Sequence, residues 1–127
     1  MQQQLESQLF VPYFDLIKKE NYQQAYERYT SATFKRNFAF ADYQKNYQKL
    51  RTDKGVLEQS TVYKVNRTVS VFGAPDQITA EISCLFGQQK YQRGLYFLIS
   101  ETKDGHFLIE SSANNKGTYY DGYDGPW

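Results

Sequence analysis

Arg67 lies on the apolar phase of an alternating run, between Val65 and Val69. A guanidinium buried there without a partner would cost several kcal/mol, so its placement needs a reason. Either it faces a polar cavity, where it would bind a carboxylate ligand or pair with Glu110, or a bulge turns it to solvent. Tyr63 shares that phase, and its phenol would add a hydrogen-bond donor to the same cavity. With Tyr26, Tyr47 and Tyr96 these two residues form the candidate ligand-binding set. A tyrosine in such a set can equally be a core ring whose hydroxyl is satisfied locally.

The residues that usually move protons are scattered. His106, the single histidine, directly follows an Asp104-Gly105 turn and is expected at the surface. Asp15 lies in a helix, and Glu81 and Glu110 lie in strands, all expected on wet faces. They form no recognisable dyad for general acid–base work. One His and one Cys cannot build a soft-ligand metal site, and the carboxylates do not cluster, so no metal or cofactor is expected. Cys84, alone in an apolar strand, reads as a small hydrophobe rather than a nucleophile. Gly122 and Gly125 have neither a strand before them nor a helix after them, which excludes a phosphate loop.

The elements that would position these residues change character at Gly55. Before it, apolar residues recur at helical spacing: Leu5, Leu9, Tyr13 and Ile17 in a first helix, with Pro12 either kinking it or standing in its first turn. Asn21 caps a second, short helix holding Ala25, Tyr26 and Tyr29. A third helical segment runs from Thr33 to Leu50, broken near Ala39 to Asp42, where Asp42 would cap the second part. After Gly55, four runs alternate at strand spacing. The first starts at Leu57, with Leu57, Thr61, Tyr63, Val65 and Val69 on one phase. Gly73-Ala74-Pro75-Asp76 turns it into a second, Ile78 to Phe86. The third, Tyr91 to Thr102, is apolar on both phases at Leu95 to Ile99 and is expected to be covered on both sides. Lys103-Asp104-Gly105 leads into the fourth, His106 to Ala113.

This order gives the α+β class, N-terminal helices packed on a curved antiparallel sheet of about four strands. The 127 residues make a single domain with its core at about 11–113 and an irregular Gly/Tyr-rich segment at 114–127, either disordered or docked near a pocket mouth. A net charge of +1 gives no field for polyanions, so nucleic acid is not expected as a partner. No run is long enough for a membrane span, and Met1-Gln-Gln-Gln lacks the features of a signal peptide. The chain reads as soluble, either cytoplasmic or the mature part of an exported protein. Aromatic residues reach 17%, with 12 Tyr and 9 Phe, which supplies both bulky core material and hydroxyls for a cavity wall.

Two stretches resemble the nuclear-transport-factor-2-like superfamily, the cystatin-like cone. Lys19-Glu20-Asn21-Tyr22-Gln23-Gln24-Ala25-Tyr26 looks like its short helix connection, and Lys103-Asp104-Gly105-His106-Phe107-Leu108-Ile109 like its closing hairpin. Phe107 stands where the family often carries Trp. The resemblance implies a cone whose sheet wraps the helices around an internal cavity, and a homodimer through the sheet face. The same scaffold serves isomerisation, dehydration, hydrolysis, ligand binding and assembly, so it fixes no activity. The expectation is a non-catalytic domain that binds a small amphipathic or anionic ligand or another protein. Its alternatives are an isomerase, dehydratase or hydrolase using a cavity carboxylate, and an assembly domain of an envelope or secretion system.

Overall fold

A computed structural model describes residues 1–69, 76–88 and 90–114, the side chains of 113 and 114 excepted. Five helices precede four strands: α1 (Gln2–Leu5), α2 (Val11–Lys18), α3 (Tyr22–Tyr29), α4 (Ala32–Asn37), α5 (Phe40–Lys54), β1 (Leu57–Thr68), β2 (Gln77–Phe86), β3 (Tyr91–Glu101) and β4 (Phe107–Asn114). The α+β arrangement is the expected one, and the sheet is an open antiparallel meander in the order β1-β2-β3-β4.

Of the two readings of Pro12, the structure takes the one that places it in a first turn. A π-helical turn, Glu6–Phe10, joins α1 to α2, and Pro12 stands in the first turn of α2. The wider turn lets the Val11 N–H reach the Glu6 carbonyl, relieving the crowding that a proline ring imposes on the preceding turn. Leu5, Leu9, Tyr13 and Ile17 are all buried. The Asn21 side chain caps α3 by accepting from the Gln24 N–H at 3.4 Å. The break between α4 and α5 comes earlier than expected, at Phe38 and Ala39. Asp42 therefore sits inside the first turn of α5 rather than capping it, where its charge faces the positive end of the helix dipole.

Gly55 ends α5 with φ of +100°, its N–H bonded to the Arg51 carbonyl at 2.9 Å. It also permits a close backbone crossing: a Cβ on Gly55 would lie 2.8 Å from the Gly87 Cα, and one on Gly87 would lie 2.5 Å from the Lys54 carbonyl oxygen. The helical half and the sheet are thus joined glycine to glycine, and the Gly87 N–H donates to the Val56 carbonyl at 3.0 Å.

Two irregularities in β1, between Leu57 and Gln59 and between Val62 and Lys64, replace the unbroken alternation read from the sequence. Opposed residues of an antiparallel pair share a face. The pairings Leu57 with Phe86, Val62 with Ile82, Val65 with Ala80 and Arg67 with Ile78 therefore put those four β1 residues on the helix-facing side. Each bulge shifts the phase by one residue, so Val62 is buried and Tyr63 is exposed, the reverse of simple alternation. In β3, Leu95, Phe97 and Ile99 are buried, but Tyr96 is 40% exposed. The strand is central yet covered on one side only: among the described residues, no layer lies over the outer face. The turn expected at Gly73 to Asp76 lies outside the described residues except for Asp76, as does the segment beyond Asn114.

The two sheet edges are handled differently. Along β4 the Ser31 N–H donates to the Ile109 carbonyl at 3.0 Å, so the α3–α4 link lies against that edge. On β1 the Gln2 amide donates to the Val62 carbonyl at 2.9 Å. Bulges, charged residues and this side-chain contact blunt an edge that would otherwise template further pairing.

Candidate functional site

The space between helices and sheet is occupied by aromatic side chains. Tyr13 from α2 meets Tyr43 and Tyr47 from α5, hydroxyl to hydroxyl at 2.8 and 2.7 Å. Burial pushes all three phenols well above their ordinary pKa, and the proximity of one to the next adds to the shift. They are neutral donors and acceptors whose hydrogen bonds serve one another. Tyr26 lies beside them, its ring 5.0 Å from that of Tyr43, and its hydroxyl donates to the Phe38 carbonyl. It thereby ties α3 to the α4–α5 break. Tyr22 stacks on Tyr47 at 5.9 Å. The crevice reaching this cluster past Ile17, Leu50, Leu57 and Phe86 holds about 10 Å³, at the lower limit for a single water.

The inner face of the sheet adds Cys84 and Arg93, opposite each other across β2 and β3. Cys84 is fully buried, and that burial pushes its thiol up to about 12, with Arg93 acting in the opposite sense. It is a packing residue without thiolate character at neutral pH. Arg93, 2% exposed, is the largest fully buried side chain, and its Nη1 donates to the Tyr91 hydroxyl at 3.1 Å. Sequence reading passed over it, although the signal was the one that singled out Arg67: a cation on the phase of Leu95, Phe97 and Ile99.

Arg67 sits at the other end of the inner face, past the cover of the helices. Its Nη2 lies 3.1 Å from Asp76 and 3.4 Å from Glu101. There it borders an open groove of about 480 Å³ where β1 ends, β2 begins, β3 ends and β4 begins. Ile78 and Ile99 contribute apolar lining, and Glu110 completes the charged rim. Of the alternatives the sequence left open for Arg67, pairing with Glu110 is not the one made: Asp76 and Glu101 are its partners.

The five candidate residues therefore occupy three places. Arg67 lines the groove, Tyr26 and Tyr47 belong to the interior cluster, and Tyr63 and Tyr96 are 42% and 40% exposed on the strands. They do not converge on one cavity. Of the residues weighed for proton transfer, Asp15 is exposed and paired with Lys19 at 2.8 Å. Glu81 lies on the outer face, 3.7 Å from Lys64, and His106 is exposed after the turn. Among the described residues, no group of three His, Cys, Asp or Glu side chains could hold a metal ion. Among the described residues, no helix is long and apolar enough to cross a membrane.

No protein-family model matches the chain, and the search of curated proteins returned no significant match.

Proposed function

We propose that this chain is a non-catalytic protein-interaction domain on a nuclear-transport-factor-2-like scaffold, working from the outer face of its sheet rather than from an enclosed cavity, with a second copy of itself as partner. The observation that carries the reading is the tight packing at the tyrosine cluster. The phenols of Tyr13, Tyr43 and Tyr47 bond to each other, and the crevice reaching them holds about 10 Å³, against the roughly 300 Å³ or more that a small-molecule site needs. Where packing among the described residues takes up the centre of the concave side, the sheet exterior remains for recognition.

That exterior suits an isologous contact. Tyr96 projects from the centre of the sheet, opposite Glu81, and Glu81 in turn lies opposite Lys64. An exposed aromatic ringed by polar and paired charged groups is the common composition of an interface centre and rim. Pairing of two such faces is also what the family resemblance implies.

Sedimentation velocity between about 5 and 200 µM tests this. The expected result is a concentration-dependent dimer that Tyr96→Arg converts to monomer without loss of helical circular dichroism. A monomer throughout the range, or a dimer indifferent to Tyr96→Arg, overturns the sheet-face reading.

A further inference from the structure

β1 is the long edge strand of the sheet. It has 12 residues, about twice the usual length, and among the described residues no strand pairs with its far side. The Val62 carbonyl faces that side, since it accepts from the Gln2 amide at 2.9 Å. In an antiparallel ladder the backbone groups directed away from the partner strand recur in register. The pairings of Ser60 with Cys84, Val62 with Ile82, Val65 with Ala80 and Arg67 with Ile78 therefore put the N–H and C=O groups of all four β1 residues on the far side. The bulge after Val62 kinks this row without ending it. Such a row templates the addition of another strand.

We propose that α1 is a guard on this edge: seated, it keeps β1 from pairing with β1 of a second copy, and lifted, it lets the two edges join antiparallel about a two-fold axis. Three observations carry the proposal. The Gln2 amide occupies the Val62 carbonyl, where an added strand would place a backbone N–H. Leu5, three residues on and so on the same side of α1, is fully buried and pins the turn in the core, while Gln3 and Gln4 are exposed. The link to α2 is built as a weak point. Its π-helical turn, Glu6–Phe10, holds one residue more than an α turn, which rotates α1 by about 100° against the course of an unbroken helix and sets which residue meets β1. Pro12 then offers no N–H to the Gln8 carbonyl, and helices bend where a proline and a π turn adjoin. The device uses the strand edge and not the Tyr96 face, so it goes beyond the sheet-face association proposed above and does not depend on it.

The test is made on the full chain carrying Tyr96→Arg, which removes the sheet-face contact. In that background Gln2→Ala deletes the donor, Leu5→Ala loosens the pin, and Gln4→Ala at an exposed position is the control. Loss of one hydrogen bond is expected to raise the unguarded population about fivefold. Edge pairing needs two unguarded copies, so the association constant read by sedimentation velocity should rise about 25-fold. Amide hydrogen exchange locates the contact: the Ser60 and Val65 N–H groups should slow in the associated Gln2→Ala chain, while those of Thr61 and Asn66, directed at β2, should not change. Leu5→Ala should act in the same direction, and if it loses helical circular dichroism the Gln2→Ala result alone decides. The proposal is overturned if Gln2→Ala associates no more than Gln4→Ala, or if its association leaves Ser60 and Val65 exchanging as before. A chain that is monomeric without Tyr96→Arg sinks the sheet-face reading and leaves this test standing.

Discussion

Removing one hydroxyl, in Tyr13→Phe, tests whether the interior phenols hold the helices together or are held in reserve for a ligand. Tyr13 is the centre of the trio, with hydroxyl contacts at 2.8 Å to Tyr43 and 2.7 Å to Tyr47. Each buried hydrogen bond contributes about 1 kcal/mol net, so the substitution should cost about 2 kcal/mol with ring volume retained. For 127 residues, an unfolding entropy of about 2.1 cal/mol/K per residue converts that to a loss of about 7 °C in Tm. Urea unfolding followed by far-ultraviolet circular dichroism gives the free energy, with exposed Tyr63→Phe as a control expected within about 0.5 kcal/mol of the parent. The pH dependence supplies a second readout with a definite sign. Burial raises the folded pKa of all three phenols above 10.0, so the folded state holds its protons longer than the unfolded chain. Their contribution is complete below about pH 10 and is lost as pH rises past it, at about 1.4 kcal/mol per pH unit for each phenol. Tyr13→Phe should flatten that alkaline slope by one phenol's worth. A loss under about 0.5 kcal/mol, or an unchanged alkaline slope, would refute the view that these hydroxyls are structural.

Two further outcomes follow from the packing. Cys84 is fully buried with its thiol pushed up to about 12, so an aromatic disulfide reagent at pH 8 should modify it about a thousandfold or more slower than in urea, at a rate that tracks global unfolding; rapid labelling under native conditions would contradict the burial. Gly87→Ala should destabilise by at least about 1 kcal/mol more than Gly105→Ala in the same urea assay. Both positions have positive φ, but only at Gly87 does the added Cβ meet backbone, at 2.5 Å from the Lys54 carbonyl oxygen, whereas nothing lies within 4 Å at Gly105.

What the sequence disclosed was local and periodic. The Asn21 cap and the Asp104-Gly105 hairpin depend on neighbours in the chain, and both appear in the expected places. The apolar stripe Leu5, Leu9, Tyr13 and Ile17 survives even the π-helical turn, because all four residues still reach the core. What the sequence hid was non-local. Nothing in Leu57 to Thr68 announces its two bulges, which are set by the register against β2, yet the first sends Val62 to the core and Tyr63 to solvent, and the second returns Val65 and Arg67 to the inner face. The candidate tyrosines were misgrouped for the same reason: a phenol with a satisfied core position and one on an open strand face have the same local spacing. Double-sided covering of β3 failed as an expectation because a tyrosine such as Tyr96 on the second phase tolerates a half-exposed place, its ring lying on the sheet and its hydroxyl in water.

Arg67 and Arg93 sharpen the point about where recognition can occur. Both stand on the inner phase of the sheet, opposite Ile78 and Cys84 respectively, so phase alone would give them the same environment. The helices make the difference. Over Arg93 the cover is complete, leaving the side chain 2% exposed with Tyr91 as a hydrogen-bond acceptor, and a desolvated guanidinium there is confined to partners the fold provides. Over Arg67 the cover has ended, so the side chain is 38% exposed and its partners, Asp76 and Glu101, remain in contact with water. Ion pairs of that kind are worth little to stability and can be rearranged at small cost. Charge on the inner phase is therefore structural where the helices reach and available where they stop, and the boundary between the two is the rim of the Glu110 groove.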